Sequence, residues 1–222
     1  MKNIAIVLAG GQGLRMGSDT PKQFLNIDNL PMIVKTISAF NAVKAIDFIL
    51  VVCLKDYIPE MEKLVKEYNL NKVRYIVEGG STRQESVFKG LTKLKQEKVD
   101  GGDIVLIHDG ARPFVSEKII LDNIEACDKH YAVNTVIKVT DSVLISRDGE
   151  YVNRYLDRDE LYRCQTPQTY RLDIIYGAHE DAIKDGIVNA TDDASLLIRF
   201  NKPVHLVLGD PSNKKITNPQ DL

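Results

Sequence analysis

The 222-residue sequence predicts an α/β fold: an open, mostly parallel sheet flanked by helices, with one protruding β-hairpin arm. Short β-branched runs alternate with longer stretches of 3.6-residue period, the pattern left by right-handed βαβ crossovers. Most of the short runs are continuously apolar rather than alternating, as expected of strands covered on both faces. One segment, 141–157, breaks the alternation and reads as a hairpin around Asp148-Gly149.

Taken in order, Asn3–Leu8, Ile46–Val52, Val73–Val77, Asp103–Ile107, Val133–Val139 and His205–Leu208 are the expected strands. Pro31–Phe40 begins a helix with a proline suited to its first turn. Thr82–Lys95 sets Val87, Leu91 and Leu94 on one face, with Ser81-x-x-Gln84 as a capping box. Ser116–His130 turns Ile119, Ile120, Ile124 and Cys127 inward, and Ile174–Lys184 and Asp192–Phe200 complete the helices. Thr191 is placed to cap the last of these. A hairpin has too little core to stand alone, so the arm must pack on something, and a second subunit is one such surface. No repeat or linker interrupts the chain, which reads as a single domain over 1–222 with 141–157 as its arm.

With 29 basic and 31 acidic residues the net charge is −2, so no global cationic field exists to coat nucleic acid. The longest apolar runs, Ile4–Ala9 and Phe48–Leu54, fall far short of the roughly 20 residues a membrane-spanning helix needs. The first of them runs into glycines rather than a cleavage site, so no secretory signal is read there. Cys53, Cys127 and Cys164 are scattered and read as reduced, buried thiols of a cytoplasmic protein. His108, His130, His179 and His205 lack the spacing of a zinc site.

The chemistry concentrates after the strands. Ala9, Gly10, Gly11 and Gly13 form a loop whose backbone can approach phosphate oxygens, and Arg15 and Lys22 place two cations beside it. This suits a triphosphate. The loop lacks the third glycine of the dinucleotide fingerprint and the Gly-Lys-Ser/Thr of a P-loop. Asp109 and Arg112, in His108-Asp-Gly-Ala-Arg-Pro-Phe114, follow a buried strand, where ligand crevices of open α/β sheets lie. A carboxylate there can hold Mg²⁺; equally, Asp109 can form a turn and pair with Arg112. Gly80, Ser81, Arg83 and Ser86 open a helix with hydroxyls and N–H groups fit to read a base or sugar. Gln165-Thr166-Pro-Gln168, Asp157-Arg158, Thr191 and Lys214-Lys215 are further polar clusters, each as readily structural as functional when taken singly.

Together these segments resemble the cytidylyltransferases of the 2-C-methyl-D-erythritol 4-phosphate class. LAGGQGLRMG…PKQF, EGGSTRQESVFKGL, HDGARPF, QTPQTY, TDDASL and NKKIT occur in the family's order from Ile4 to Leu222. The resemblance implies a Rossmann-like nucleotidyltransferase domain that transfers CMP from CTP to a polyol phosphate, with Mg²⁺ or another divalent cation. It implies that the glycine loop, Arg15 and Lys22 grip the triphosphate, that Lys215 joins Arg15 and Lys22 in catalysis from an acceptor or phosphate position, that Gly80, Ser81, Arg83 and Ser86 lie at cytosine and ribose, and that Asp109 holds the metal. Asp109, Arg112, Ser142, Arg158, Thr166 and Thr191 fall at acceptor or phosphate positions. A homodimer is implied too, with Ser142 and Arg158 of the arm serving the partner's site.

Ribitol-5-phosphate cytidylyltransferases share this architecture. The EGGSTRQESVFKGL form leans toward the methylerythritol branch, whereas Tyr162 stands where that branch commonly has Trp and looks more like the ribitol branch. Ser81 replaces a commonly acidic residue, and relatives usually continue past Leu222 into a helix. Sugar-1-phosphate nucleotidyltransferases share the opening loop but not the PKQF and QTPQ motifs. A nucleotide-sensing module or an NAD-dependent dehydrogenase are the readings from other classes.

Overall fold

The computed structural model describes residues 1–11 and 21–221, so Gly13 and Arg15 lie outside the described residues. β1 (Asn3–Ala9) leads to a small hairpin, β2 (Asn26–Ile27) and β3 (Leu30–Pro31), and then to α1 (Met32–Ala42). Asp28 and Asn29 both take positive φ at the hairpin turn, the conformation that Asp and Asn tolerate best after glycine. β4 (Phe48–Cys53), α2 (Ile58–Glu67), β5 (Val73–Glu78), α3 (Arg83–Gln96), β6 (Ile104–Asp109), α4 (Glu117–His130) and β7 (Ala132–Lys138) continue the alternation. The arm contains β8 (Leu144–Ile145) and β9 (Arg154–Tyr155), paired antiparallel, with Gly149 at positive φ in its turn. β10 (Tyr162–Arg171), α5 (Leu172–Lys184), α6 (Asp193–Arg199) and β11 (His205–Leu208) follow.

Among the described residues, seven strands make one sheet in the order β11-β7-β10-β6-β1-β4-β5, with β10 alone antiparallel to its neighbours. Alternate residues of β1 serve opposite faces. Ile4 and Ile6 join α3, α5 and α6 on one side, and Ala5, Val7 and Ala9 join α1, α2 and α4 on the other. Both faces of the central strands β1, β4 and β6 are therefore dry, which is why these read as apolar runs.

Besides the small β2–β3 hairpin, two longer elements escape the sequence reading. α2 buries only Met61 and Leu64, too narrow a stripe to stand out from its charged neighbours. β10 carries Pro167 and polar residues, and its register slips between Cys164 and Gln168, where the proline has no N–H to give to the ladder. Two caps also move by one residue. Thr82, not Ser81, caps α3 by accepting the Glu85 N–H, and Glu85 in turn holds the Ser81 N–H at 2.7 Å. Asp192, not Thr191, caps α6 by accepting the Ser195 N–H at 2.8 Å. Cys53 and Cys127 are buried, with burial pushing their thiols up to about 11 and about 12, but Cys164 is exposed near the start of β10.

The chain order reverses between β1 and β6: β4 and β5 build outward on one side of β1, and β6 returns to the other. Ligands bind at such a switch point, outside the carboxyl ends of the strands. Here the two strand ends are pinned together by the Gly110 N–H donating to the Leu8 carbonyl at 2.9 Å. A Cβ at residue 110 would stand 2.8 Å from both the Leu8 oxygen and the Ile33 side chain. Gly110→Ala is expected to lower stability by about 1–3 kcal/mol through this overpacking, read as a drop in urea midpoint at unchanged slope. A midpoint equal to the wild type would remove the close approach from the account.

Candidate active site

A cleft of about 720 Å³ opens at the switch point. One wall is the backbone of Ala9, Gly10 and Gly11. It is held by the buried Gln23 carboxamide, which donates to the Ala9 carbonyl at 2.8 Å and to that of Gly11 at 3.0 Å. The facing wall is the Gly80–Arg83 turn at the start of α3. Ser86 closes that turn from beneath, its hydroxyl accepting the Gly80 N–H at 3.0 Å and donating to the Thr82 carbonyl at 2.9 Å. The late segment supplies the third side with Lys215 and Thr217, and the Lys22 ammonium donates to the Ile216 carbonyl at 2.9 Å.

At the floor lies Asp109, the last residue of β6. Its Oδ2 meets the Lys215 ammonium at 2.8 Å and Arg112 Nε at 3.6 Å, while Oδ1 faces Arg83 Nε at 3.7 Å. Burial alone would raise this carboxyl, but the pull of Lys215, then Arg83 and Arg112, holds it far below the usual carboxylate range. It is a permanent anion. The backbone around it is fixed by a ring of hydrogen bonds. The Asp109 N–H donates to Thr166 Oγ1 at 3.1 Å, and Thr166 in turn donates to His108 Nδ1 at 3.0 Å. His108 Nε2 then carries the proton and donates to the Arg112 carbonyl at 3.1 Å, and the Arg112 N–H returns to the Asp109 carbonyl. Burial pulls His108 down to about 4, so the ring is neutral at pH 7.

Arg83 is anchored from behind. Its Nη1 donates to the buried Asp193 at 2.7 Å, and Asp193 also accepts from His179 Nε2 at 3.0 Å. Burial opposes the charge on Asp193, but Arg83 and His179 outweigh it and lower its pKa. Arg83 Nη2 is buried without a hydrogen-bond partner, an unspent donor in a residue that lines the cleft.

The structure thus gathers Ala9, Gly10, Gly11, Lys22, Gly80, Ser81, Arg83, Ser86, Asp109 and Lys215 around one cleft. Arg112 and Thr166 are buried beneath it and act on Asp109 and the backbone rather than facing the cavity. Ser142, Arg158 and Thr191 are exposed and do not line it. Gln23, Thr82, Asp193 and Thr217 were not singled out from the sequence. Asp193 sits 110 residues from Arg83, and only a buried acid beside a helix cap could have hinted at it.

Glycine-walled phosphate space beside fixed cations defines a nucleotide-handling site, and comparison with known proteins makes the class specific. The model of the family 2-C-methyl-D-erythritol 4-phosphate cytidylyltransferase (IspD) matches residues 3–222. A 2-C-methyl-D-erythritol 4-phosphate cytidylyltransferase of Clostridium novyi (strain NT) is 42% identical over all of this chain and 94% of its own. A ribitol-5-phosphate cytidylyltransferase of Streptococcus agalactiae serotype V is 38% identical, also over the whole chain and 92% of its own. The crystal structure of 4-diphosphocytidyl-2C-methyl-D-erythritol synthase from Anaerococcus prevotii superposes with a TM-score of 0.84 at 34% identity, covering 99% of this chain and 92% of that one. The protein is therefore a cytidylyltransferase, a nucleotidyltransferase acting on polyol phosphates. It belongs to the IspD family.

The neutral His108 makes the floor of the cleft acid-sensitive. The unfolded chain protonates this ring below about pH 6.5, whereas the folded protein resists until about 4. The folded pKa is depressed, so this contribution is fully present above about 6.5 and lost as pH falls toward 4. Stability is expected to drop by about 3 kcal/mol by pH 4 through this group. Urea unfolding across that window should show the slope in the wild type and a flatter one in His108→Gln. Equal slopes would exclude His108 as its source.

Proposed function

We propose that the protein transfers CMP from CTP to 2-C-methyl-D-erythritol 4-phosphate, giving 4-diphosphocytidyl-2-C-methyl-D-erythritol and pyrophosphate in cytoplasmic isoprenoid precursor synthesis. The observation that carries the reading is the convergence of Lys22, Arg83 and Lys215 on a glycine-walled cleft with an ionised carboxylate at its floor. A phosphate oxygen of the acceptor attacks the α-phosphorus of CTP in line; the new P–O bond forms as the bond to pyrophosphate breaks. That oxygen is already anionic near neutral pH, so no general base is required. The buried, neutral His108 fits this economy.

What the reaction does require is relief of repulsion between two polyanions and stabilisation of charge in the transition state. Lys22 and Lys215 sit where the phosphates would lie, and Arg15 belongs to the same loop by sequence. The unspent Arg83 donor suits the nucleotide. Arg112, locked by the carbonyls of Asn213 and Cys164, acts by positioning Asp109.

Among the described residues no group of three His, Cys, Asp or Glu side chains is placed to hold a metal by itself. A single carboxylate beside a phosphate cleft fits Mg²⁺, which binds through one or two carboxylates plus substrate oxygens and water. Asp109 Oδ1, which faces the Arg83 guanidinium at 3.7 Å, is the oxygen fit to hold it. When bound, the ion would offset phosphate charge during transfer.

The arm supports a homodimer. Its strands are two residues each, and Tyr151 and Tyr155 are 72% and 66% exposed, an apolar load that a lone hairpin does not carry. Ser142 and Arg158, absent from their own cleft, would then reach the partner's. Removing residues 142–156 should leave a monomer with little activity, and an unchanged dimer in sedimentation would sink the arm model.

A second reading, ribitol 5-phosphate as acceptor, draws on the ribitol relative and on Tyr162. Pyrophosphate release with CTP and Mg²⁺, run with both polyol phosphates side by side, tests the choice. Preference for the methylerythritol substrate is expected, and preference for ribitol phosphate would overturn it. In the same assay Lys215→Ala should lose roughly 10²-fold or more in turnover, the scale of one preorganised electrostatic contact. Near-normal turnover would remove Lys215 from the chemistry.

A further inference from the structure

A second cavity, of about 200 Å³, lies behind the start of α3. Phe88 of α3, His179 and Ile183 of α5 and Val188 of the following loop form its apolar walls. Ser81 and Thr82 line both this cavity and the nucleotide cleft, so a single turn of chain separates them.

The lining dictates what can enter. Among the described residues that line it, Glu85 is the one acid and there is no lysine or arginine, which disfavours phosphates and other anions. Phe88 and His179 stack with their planes 13° apart, a wall suited to a flat ring. His179 is fully buried, and its Nε2–H is committed to Asp193. Its Nδ1 is buried with no hydrogen-bond partner and in the neutral ring is an acceptor, an arrangement that costs stability until a donor arrives.

The same residues hold the cleft. Glu85 Oε2 grips both the N–H and the hydroxyl of Ser81 at 2.7 Å, and His179 steadies Asp193, which fixes Arg83. A molecule wedged between α3 and α5 would disturb both. We propose that this cavity is a regulatory site for a small, uncharged aromatic molecule bearing one N–H or O–H donor, and that its occupancy weakens nucleotide binding. The effect follows from the shared walls and does not depend on which polyol accepts CMP.

Indole serves as the probe, and benzofuran as the same bicycle without the donor, in calorimetric titrations of the full chain. Saturable indole binding is expected in the absence of CTP, with benzofuran about fivefold weaker for want of one hydrogen bond. Saturating indole should raise the Kd for CTP about fivefold or more, the usual size of a coupling between sites. Ile183→Trp and Val188→Trp, which enlarge two half-exposed wall residues, should abolish indole binding and with it any effect of indole on the Kd for CTP. Absence of saturable binding to the wild type, undiminished binding to both filled variants, benzofuran as tight as indole, or an unaltered Kd for CTP would each overturn the proposal. Because indole binding is read without CTP, its failure leaves the cytidylyltransferase reading intact, and failure to bind CTP at all would strike that reading instead.

Discussion

The architecture of the site depends on keeping one negative charge where water cannot neutralise it. Asp109 is buried at the carboxyl end of a central strand, a placement that would cost several kcal/mol for an unpaired carboxylate. Three cations from three parts of the chain offset that cost: Arg83 from the start of α3, Arg112 from the loop after β6, and Lys215 from the last segment. Each is thereby oriented as well as neutralised. The carboxylate works as a hub that arranges positive groups around a space for polyanions.

Around that hub the backbone is equally constrained. Thr166 and His108 join β10 to β6 through a hydrogen-bond ring that fixes where Asp109 begins. The antiparallel β10 is needed for this, since its register with β6, where Gln168 stands opposite Ile107, carries Thr166 alongside the end of that strand. Gly110 lets β1 and β6 end side by side, so that the glycine loop and the carboxylate share one opening.

Much of this was legible in the sequence because parallel strands buried on both faces leave unbroken apolar runs, as Phe48–Cys53 does. The gathering of the cleft was legible because Gly10 and Asp109 sit at the ends of such runs, and the ordered motifs added Arg83 and Lys215. What stayed hidden was whatever depends on distant partners. β10 is polar and proline-bearing, and only its place between β6 and β7 makes it a strand. Asp193 reads as the first turn of a helix until Arg83 and His179 are brought to it. Arg112 and Thr166 are motif residues whose side chains turn inward, a distinction that spacing cannot draw.

The tie between Lys22 and the Ile216 carbonyl spans 194 positions of the chain. With the Lys215–Asp109 pair it means that the cleft is stitched from segments lying on either side of the central strands in the chain. During vectorial synthesis the sheet's central strands can assemble long before the segment around residue 215 has been made. Closure of the cleft is therefore a late event in the life of each molecule, arriving only after the surrounding framework is in place. A nascent chain can be largely folded and still lack one side of its cleft.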